Sequence, residues 1–516
     1  MRSTSTLWIL VGFPAFVAAG PALRDHQSHS CHGARGLRRV RAIERSTINL
    51  LKTLTRARYR VDVRGHAEKD ELSLSAEDLE TILVGEDSAN RLRGPVETEW
   101  EGNVDGLALQ EADGLRGRHS FNPAYRQYIP PPQHFRIIHA SVFLRHGDRT
   151  PISKTVGTAL DASGDADFWA SLLPDATKQD LWDELNPVIP KDIASRPYDY
   201  GKAPFGQLTR TGAMESERVG TEIRNRYVGS LLPEKVDLDS IKARTTNMRR
   251  TQQTMQNFLL GLYPADLRDP DNNEIPIKTQ PMRQESLVPN SGHCPAYSYR
   301  SKIVAEEAKE TPRVTKIDRQ LMRGLGYPSG GIRWAQAREV LTCYLLQGRE
   351  LPNNLTADDI DAIGEVNGFI WGAQFTDSTV ARLSTGRLFA EVFSDFELAI
   401  DDPDDCNKMS LYSGHDSTLV PLLAALGVYE GQWPPYASYI VIELAESTKT
   451  GDHWVRVQYN NEELLMMDGF WNRYEDFSNY MGYYVLTDEE HKIECAAKDG
   501  SEDLEVHVSD LSDTLK

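Results

Sequence analysis

Seven consecutive residues hold the reactive side chains that stand out first: Arg145-His146-Gly147-Asp148-Arg149-Thr150-Pro151. Two guanidiniums four positions apart offer fixed N–H forks matched to the oxygens of a phosphate-like anion. His146 between them supplies a nitrogen nucleophile aimed into that anion pocket, and Gly147 lets the backbone turn tightly. A lone histidine ordinarily means little, yet five specified residue types in a window of seven arise by chance on the order of once in ten thousand chains. A second histidine stands beside a carboxyl in Ser413-Gly414-His415-Asp416-Ser417-Thr418. An Asp opening a helix is common for capping reasons alone. Set beside the first motif it becomes specific: His415 can donate to the oxygens of the same anion, and Asp416 can protonate a departing alkoxide.

Both motifs follow runs that read as strands. The stretch 135–144 is almost continuously apolar, the pattern of a strand buried on both faces of a parallel sheet. A similar run at 408–413 leads into helical spacing at 419–426, and two more strands are predicted at 436–444 and 454–459. In an open α/β sheet, ligands bind beyond the carboxyl ends of strands, where both motifs fall. Strands separated by helical stretches predict an α/β fold, a mostly parallel sheet flanked by helices. Residues 264–401 are dominated by helical patterns, clearest at 334–346 and 382–398, and are predicted to form an inserted, mostly helical cap. That leaves 135–263 and 402–495 as the α/β core.

With these residues in view, the chain resembles the histidine phosphatase superfamily, in its acid phosphatase branch, through the pattern Arg-His-Gly-x-Arg-x-Pro. Gly206-Gln207-Leu208-Thr209-Arg210-Thr211-Gly212 is similar to the block that opens the next helix in that family. Arg244-Thr245-Thr246-Asn247-Met248-Arg249-Arg250-Thr251 resembles the block that completes the phosphate clamp, alignment pointing to Arg250 of the adjacent arginines. The resemblance covers roughly 135–495. It implies that His146 is phosphorylated in a covalent intermediate, that Arg145, Arg149, Arg250 and His415 hold the phosphoryl group, and that Asp416 is the proton donor. It implies no metal or other cofactor. It also implies a disulfide between Cys294 and Cys495. Cys343 matches a family cysteine whose usual partner falls at Tyr439 here, so that bridge is expected to be absent or rerouted, with Cys406 the candidate.

The ends of the chain carry other signals. Arg2, the apolar run from Leu7 to Ala19 and small residues at its end have the three parts of a secretory signal, taken as 1–19. At about 13 residues the run is short of the roughly 20 needed to span a bilayer, and no later stretch is apolar enough, so no transmembrane segment is expected. Residues 20–134 read as an extension, partly disordered, with a basic helical pattern near 43–54 and a stiff Pro130-Pro131-Pro132 linker. Its removal up to about residue 125 is expected to leave catalysis intact. Residues 496–516 form an acidic tail. Five cysteines without CxxC spacing argue for disulfides in an oxidising compartment, and Asn354-Leu355-Thr356 offers a glycosylation site. These features place the protein outside the cell or in the lumen of the endomembrane and lysosomal system.

Charge narrows the partners. Lys and Arg number 57 against 76 Asp and Glu, a net charge of −19, and the first 66 residues hold 12 of the basic and only 3 of the acidic ones. A body this acidic repels a nucleic-acid backbone, so nucleic acid is excluded as a partner. The expected substrate is a small phosphate monoester. A mutase-like transferase lacks support because that branch does not carry Pro151, and a non-catalytic phosphate binder would have replaced His146 or Asp416. The segment from Gly427 through Trp433-Pro434-Pro435-Tyr436-Ala437 is most similar to prostatic-type and lysophosphatidic acid phosphatases, so a lipid phosphate is the alternative substrate. Thr418, where many phytases have Asn, disfavours phytate.

Overall fold

The computed structural model describes residues 119, 121, 126–174, 187–188, 204–268, 275–327, 329–467 and 469–496. The expected signal segment, the basic stretch near 43–54, Cys31 and the tail beyond residue 496 lie outside the described residues. The apolar runs become strands β1 (Phe135–Arg145), β2 (Pro187–Val188), β3 (Ile241–Thr245), β4 (Ile277–Thr279), β5 (Met409–Gly414), β6 (Tyr439–Ser447), β7 (His453–Tyr459), β8 (Glu462–Glu463) and β9 (Trp471–Arg473). Among the described residues they form one nine-stranded sheet in the order β8-β7-β6-β1-β5-β3-β4-β2, with β9 also paired to β7. From β1 through β5 and β3 to β4 and β2 every pairing is parallel; β6 to β9 are antiparallel additions on the far side of β1.

Helices cover both faces, as a sheet buried on both sides requires. In chain order they are α1 (Ala166–Ser171), α2 (Arg210–Tyr227), α3 (Arg249–Leu262), α4 (Pro295–Lys309), α5 (Pro312–Leu321), α6 (Trp334–Leu346), α7 (Ala357–Thr376), α8 (Ser378–Asp401), α9 (Asp416–Ala425), α10 (Tyr474–Met481) and α11 (Asp488–Ala496). Alternation along the strands sorts the core. Ala140, Val142 and Leu144 pack with Val219 and Ile223 of α2 and Phe258 and Leu262 of α3. Phe143, Tyr412 and Ile440 face the other way, against Phe389 and Phe396 of α8, Leu419 and Leu422 of α9 and Phe477 of α10. A third cluster builds the helical insert: Val340 and Leu341 of α6 with Ile360, Ile363 and Val366 of α7.

That insert differs from the expected 264–401 at both ends. Val156, Ala162, Trp169 and Phe205, assigned to the core from sequence, pack into the insert's own cluster, so the connection between β1 and α2 belongs with it. Conversely α8, read as cap, covers a face of the sheet. Helical periodicity shows that a segment has an apolar stripe, not which body the stripe lies on.

Cys294 and Cys495 are bonded, S–S 2.03 Å, tying the start of α4 to α11. Cys343 and Cys406 are both buried free thiols, so the suggested rerouting does not occur. The Cys343 thiol donates to the Arg149 carbonyl at 3.3 Å and lies 3.7 Å from the Tyr436 hydroxyl, whereas Tyr439 meets Arg226 and Asn461. Asn354 is exposed just before α7, where Thr356, the third residue of its sequon, caps the helix by accepting from Asp359 N at 3.3 Å.

The extension is not separate up to residue 134, as the sequence suggested. Phe121 is buried in the core edge-on to Tyr439, at 5.5 Å between ring centroids. Phe121 N donates to Tyr436 O and Tyr436 N donates to His119 O, each at 2.8 Å. Further along, Arg456 donates to Ile129 O at 2.9 Å and Asn461 to Arg126 O at 2.6 Å. One aromatic ring and a few backbone bonds make no periodic signal, which is why the strap is silent in the sequence. Deleting residues 20–117 keeps His119 and Phe121 and serves as the reference for the longer truncation. Relative to that reference, deleting 20–125 should cost about 3 kcal/mol, the scale for losing a buried Phe, and lower kcat/KM, because Tyr436 lies in the site described next. Equal melting curves for the two truncations would refute the strap.

Candidate active site

Strand register brings the motifs together. Arg145 at the end of β1 pairs with Gly414 at the end of β5, and Ser413 pairs with Thr245 at the end of β3. Three adjacent parallel strands therefore end level, and the chain leaves them into His146, into His415-Asp416 and into Thr246 through Arg250.

The loop after β1 is held by backbone contact rather than by a special glycine conformation. A Cβ on Gly147 would stand 2.3 Å from Gly212 O, and one on Gly212 would stand 2.1 Å from Asp148 O. This close approach requires glycine at both places and explains why the two blocks occur together. Thr209 caps α2, accepting from Gly212 N at 3.1 Å, and also donates to Asp148 Oδ2 at 2.7 Å. Gln347 donates to the same oxygen at 2.7 Å, and Asp148 N donates to Glu215. Asp148 is thus a fully buried anchor for the loop and does not line the cavity.

That cavity, of about 500 Å³, is lined by His146, Arg149, Arg250, His415, Asp416 and Ser417, with the chain from Val288 to His293 as its wall. The Nδ1 of His146 lies 2.9 Å from its neighbour's carbonyl, Gly147 O. A carbonyl only accepts, so Nδ1 carries the proton and Nε2 keeps its lone pair. His415 has the opposite tautomer. Its Nδ1 faces Arg250 Nη2 at 3.3 Å, and arginine only donates, so Nε2 carries the proton and donates to Thr246 Oγ1 at 3.0 Å. Arg145 donates to Asp416 Oδ2 at 3.1 Å and to Pro434 O at 2.5 Å, and lies 4.2 Å over the Tyr436 ring. Arg149 donates to Glu339 Oε1 at 2.5 Å. The Nε atoms of Arg145, Arg149 and Arg250 are buried without a hydrogen-bond partner, the state of a donor set shaped for an anion.

So many buried cations shift their neighbours. Burial, then Arg250, Arg145 and Arg149, holds the His146 imidazole well below the ordinary histidine value of 6.5, and His415 is lowered too, by burial and then Arg250. Burial works to raise Asp416, but Arg145, His415 and Arg149 outweigh it and hold the carboxyl low. Arg250 itself is pushed down to about 9 by burial and by Arg149. The free site therefore holds neutral imidazoles, an ionised Asp416 and an excess of positive charge.

All six residues singled out from sequence as catalytic or phosphate-binding gather at this one place, with Arg250 buried and Arg249 exposed. Thr418 turns inward instead: it accepts from His415 N at 2.9 Å and donates to Leu287 O. It gives no direct reading of substrate. The sequence missed Glu339, which besides Arg149 accepts from Ile152 N and Ser153 N at 2.5 and 3.1 Å. It missed Arg338 and the role of Tyr436 as well. A glutamate or arginine on a helix some 190 residues from the motif carries no local signal. Among the described residues, the one cluster with metal-ligand spacing is Cys294, His491 and Cys495, and its cysteines are joined as a disulfide.

Comparison with known proteins agrees with this geometry. The chain is 24% identical over 340 residues to counting factor 60 of Dictyostelium discoideum, covering 63% of this chain and 80% of that protein. It is 25% identical over 354 residues to the lysosomal acid phosphatase of Rattus norvegicus, covering 65% and 73%. It is 24% identical over 414 residues to the lysophosphatidic acid phosphatase type 6 of Pongo abelii, covering 75% and 90%. Residues 136–324 and 373–460 match the histidine phosphatase superfamily (branch 2), the gap between them falling on α6 and most of α7. With strands, motifs and family match spanning the same residues, the chain belongs to the histidine phosphatase superfamily, branch 2, and is a phosphoric monoester hydrolase of the histidine acid phosphatase type.

Proposed function

We propose that this protein is an exported acid phosphomonoesterase that works through a phosphohistidine at His146. The observation that carries the reading is the commitment of His146 Nδ1 to Gly147 O, which leaves Nε2 as the free nucleophile among Arg145, Arg149 and Arg250. The arginines bind the equatorial oxygens. His146 Nε2 attacks phosphorus, the P–O bond to the alcohol breaks, and Asp416 gives its proton to the leaving oxygen. Asp416, now ionised, takes a proton from water; that water attacks phosphorus and the P–N bond breaks, releasing phosphate. Electrostatic stabilisation of the transferring group is the main catalytic term in such transfers. His415 can donate to the phosphoryl group once it gains a proton at Nδ1, which a bound phosphate dianion favours.

The shifts set the pH dependence. Asp416 is held low in the free site, so its protonated form becomes scarcer with each unit of rising pH. His146 is also held low, so it stays nucleophilic in acid. Turnover of alkyl phosphates should therefore rise as pH falls from about 7 to about 5. Export is supported by the buried Cys294–Cys495 bridge, which suits an oxidising compartment, and by relatives named as lysosomal acid phosphatases.

Two outcomes are expected. Asp416→Asn should slow alkyl phosphates, whose alkoxides leave badly, about a hundredfold or more, and nitrophenyl phosphate far less in the first step. With the latter substrate, quenching into alkaline denaturant, in which a P–N bond survives, should trap labelled phosphate on His146, because the second step has lost its base. Label on another residue, or equal damage to the first step with both esters, would contradict the mechanism. Expressed in a secretory host, the full chain should appear in the lumen or medium without residues 1–19 and carry a glycosidase-sensitive mass at Asn354. An intact N-terminus in the cytosol would contradict export.

A further inference from the structure

One buried cation near the site is left without an acceptor. Arg338 of α6 is only 7% exposed, donates no hydrogen bond to a described residue, and has no carboxylate among them within 4.0 Å. Its guanidinium lies over the Trp433 ring, 4.5 Å from the centroid. Of the other buried arginines nearby, Arg145 is matched by Asp416 and Pro434 O, Arg149 by Glu339 and Arg244 by Glu285 and Ser286, while Arg250, in the clamp itself, meets the neutral acceptors Met248 Sδ and His415 Nδ1. A guanidinium out of water without an anion is costly, and a tryptophan face repays only part of that.

Its surroundings say which part of a ligand it would meet. The next residue on α6, Glu339, holds Arg149, and Trp433 precedes Pro434, whose carbonyl holds Arg145. Arg338 acts on Asp416, whose carboxyl it helps to lower, and is itself repelled by Arg145. Burial and that repulsion push Arg338 down to about 9, so it remains cationic throughout the acidic range. Contacts connect it to the proton donor of the leaving group: Arg338 lies over Trp433, the next residue Pro434 accepts from Arg145, and Arg145 donates to Asp416.

We infer that Arg338 receives an anionic group carried by the leaving alcohol, so that the preferred substrates are phosphate monoesters bearing a carboxylate or a second phosphate close to the scissile ester. This rests on Asp416 marking the leaving-group side, as proposed above. One charge-assisted hydrogen bond to such a group corresponds to roughly tenfold to a hundredfold in kcat/KM.

Three esters of one skeleton provide the test: 2-hydroxyethyl phosphate, phosphoglycolate and ethanediol bisphosphate. The wild type should favour at least one charged ester over the neutral one by about tenfold or more, mainly through KM, and the favoured ester tells carboxylate from phosphate. Arg338→Gln should reduce that ratio about tenfold, and Arg338→Lys should keep part of it. A wild-type ratio near one, or a ratio that survives Arg338→Gln, would overturn the inference. If Arg338→Gln fails to fold, Arg338→Lys carries the comparison, a ratio unchanged from wild type in that variant overturning the inference as a wild-type ratio near one does. Failure of the broader mechanism would look different, as no ester would leave phosphate on His146.

Discussion

A neutral imidazole packed among buried guanidiniums is the constraint on which the rest of this structure depends. In water, a histidine near pKa 6.5 is mostly protonated in acid and no longer a nucleophile. Here burial and Arg250, Arg145 and Arg149 make the protonated form of His146 unfavourable. In the proposed mechanism, the same cations that would bind a phosphoryl group thus keep the attacking nitrogen available at the pH where a carboxyl can supply a proton. The arrangement needs countercharges, or like charges this close would push the site apart. Glu339 and Asp416 provide them, each on one clamp arginine.

The scaffold serves that cluster. Level strand ends at β1, β5 and β3 deliver its members from three distant parts of the chain. Gly147 against Gly212 fixes the loop that carries Arg149. The helical insert reaches back with Glu339 and Cys343, so it contributes to the clamp as well as to its cover. Tyr436 lies under Arg145 and is bonded through its backbone to His119 and Phe121. The order of the site therefore extends into a segment upstream of the fold's first strand.

What could be read from sequence follows the range of each signal. The strand at 135–144 and the residues directly after it share one short window, where an apolar run and a cluster of reactive types are legible together. The same holds for His415-Asp416. Helix α6 was bounded correctly at 334–346 because its pattern is local, while its gift of Glu339 and Arg338 to the site was not visible, since tertiary contact decides it. The cap boundaries erred for the same reason: α8 and the chain around Trp169 have apolar residues that could serve either body. The Cys343–Cys406 pairing failed because neither position is fixed by spacing; both thiols are buried apart from each other's bonding partners.

The most direct measurement is the titration of His146 itself. Histidine-selective ¹⁵N labelling of the full chain, with His146→Gln to assign the signal, reports the protonation of each ring nitrogen by NMR. In the phosphate-free protein, His146 should remain the neutral tautomer with its proton on Nδ1 well below pH 6.5, and Arg250→Met should move its titration upward. An imidazole that gains its second proton near pH 6.5 would contradict the electrostatic basis of the site.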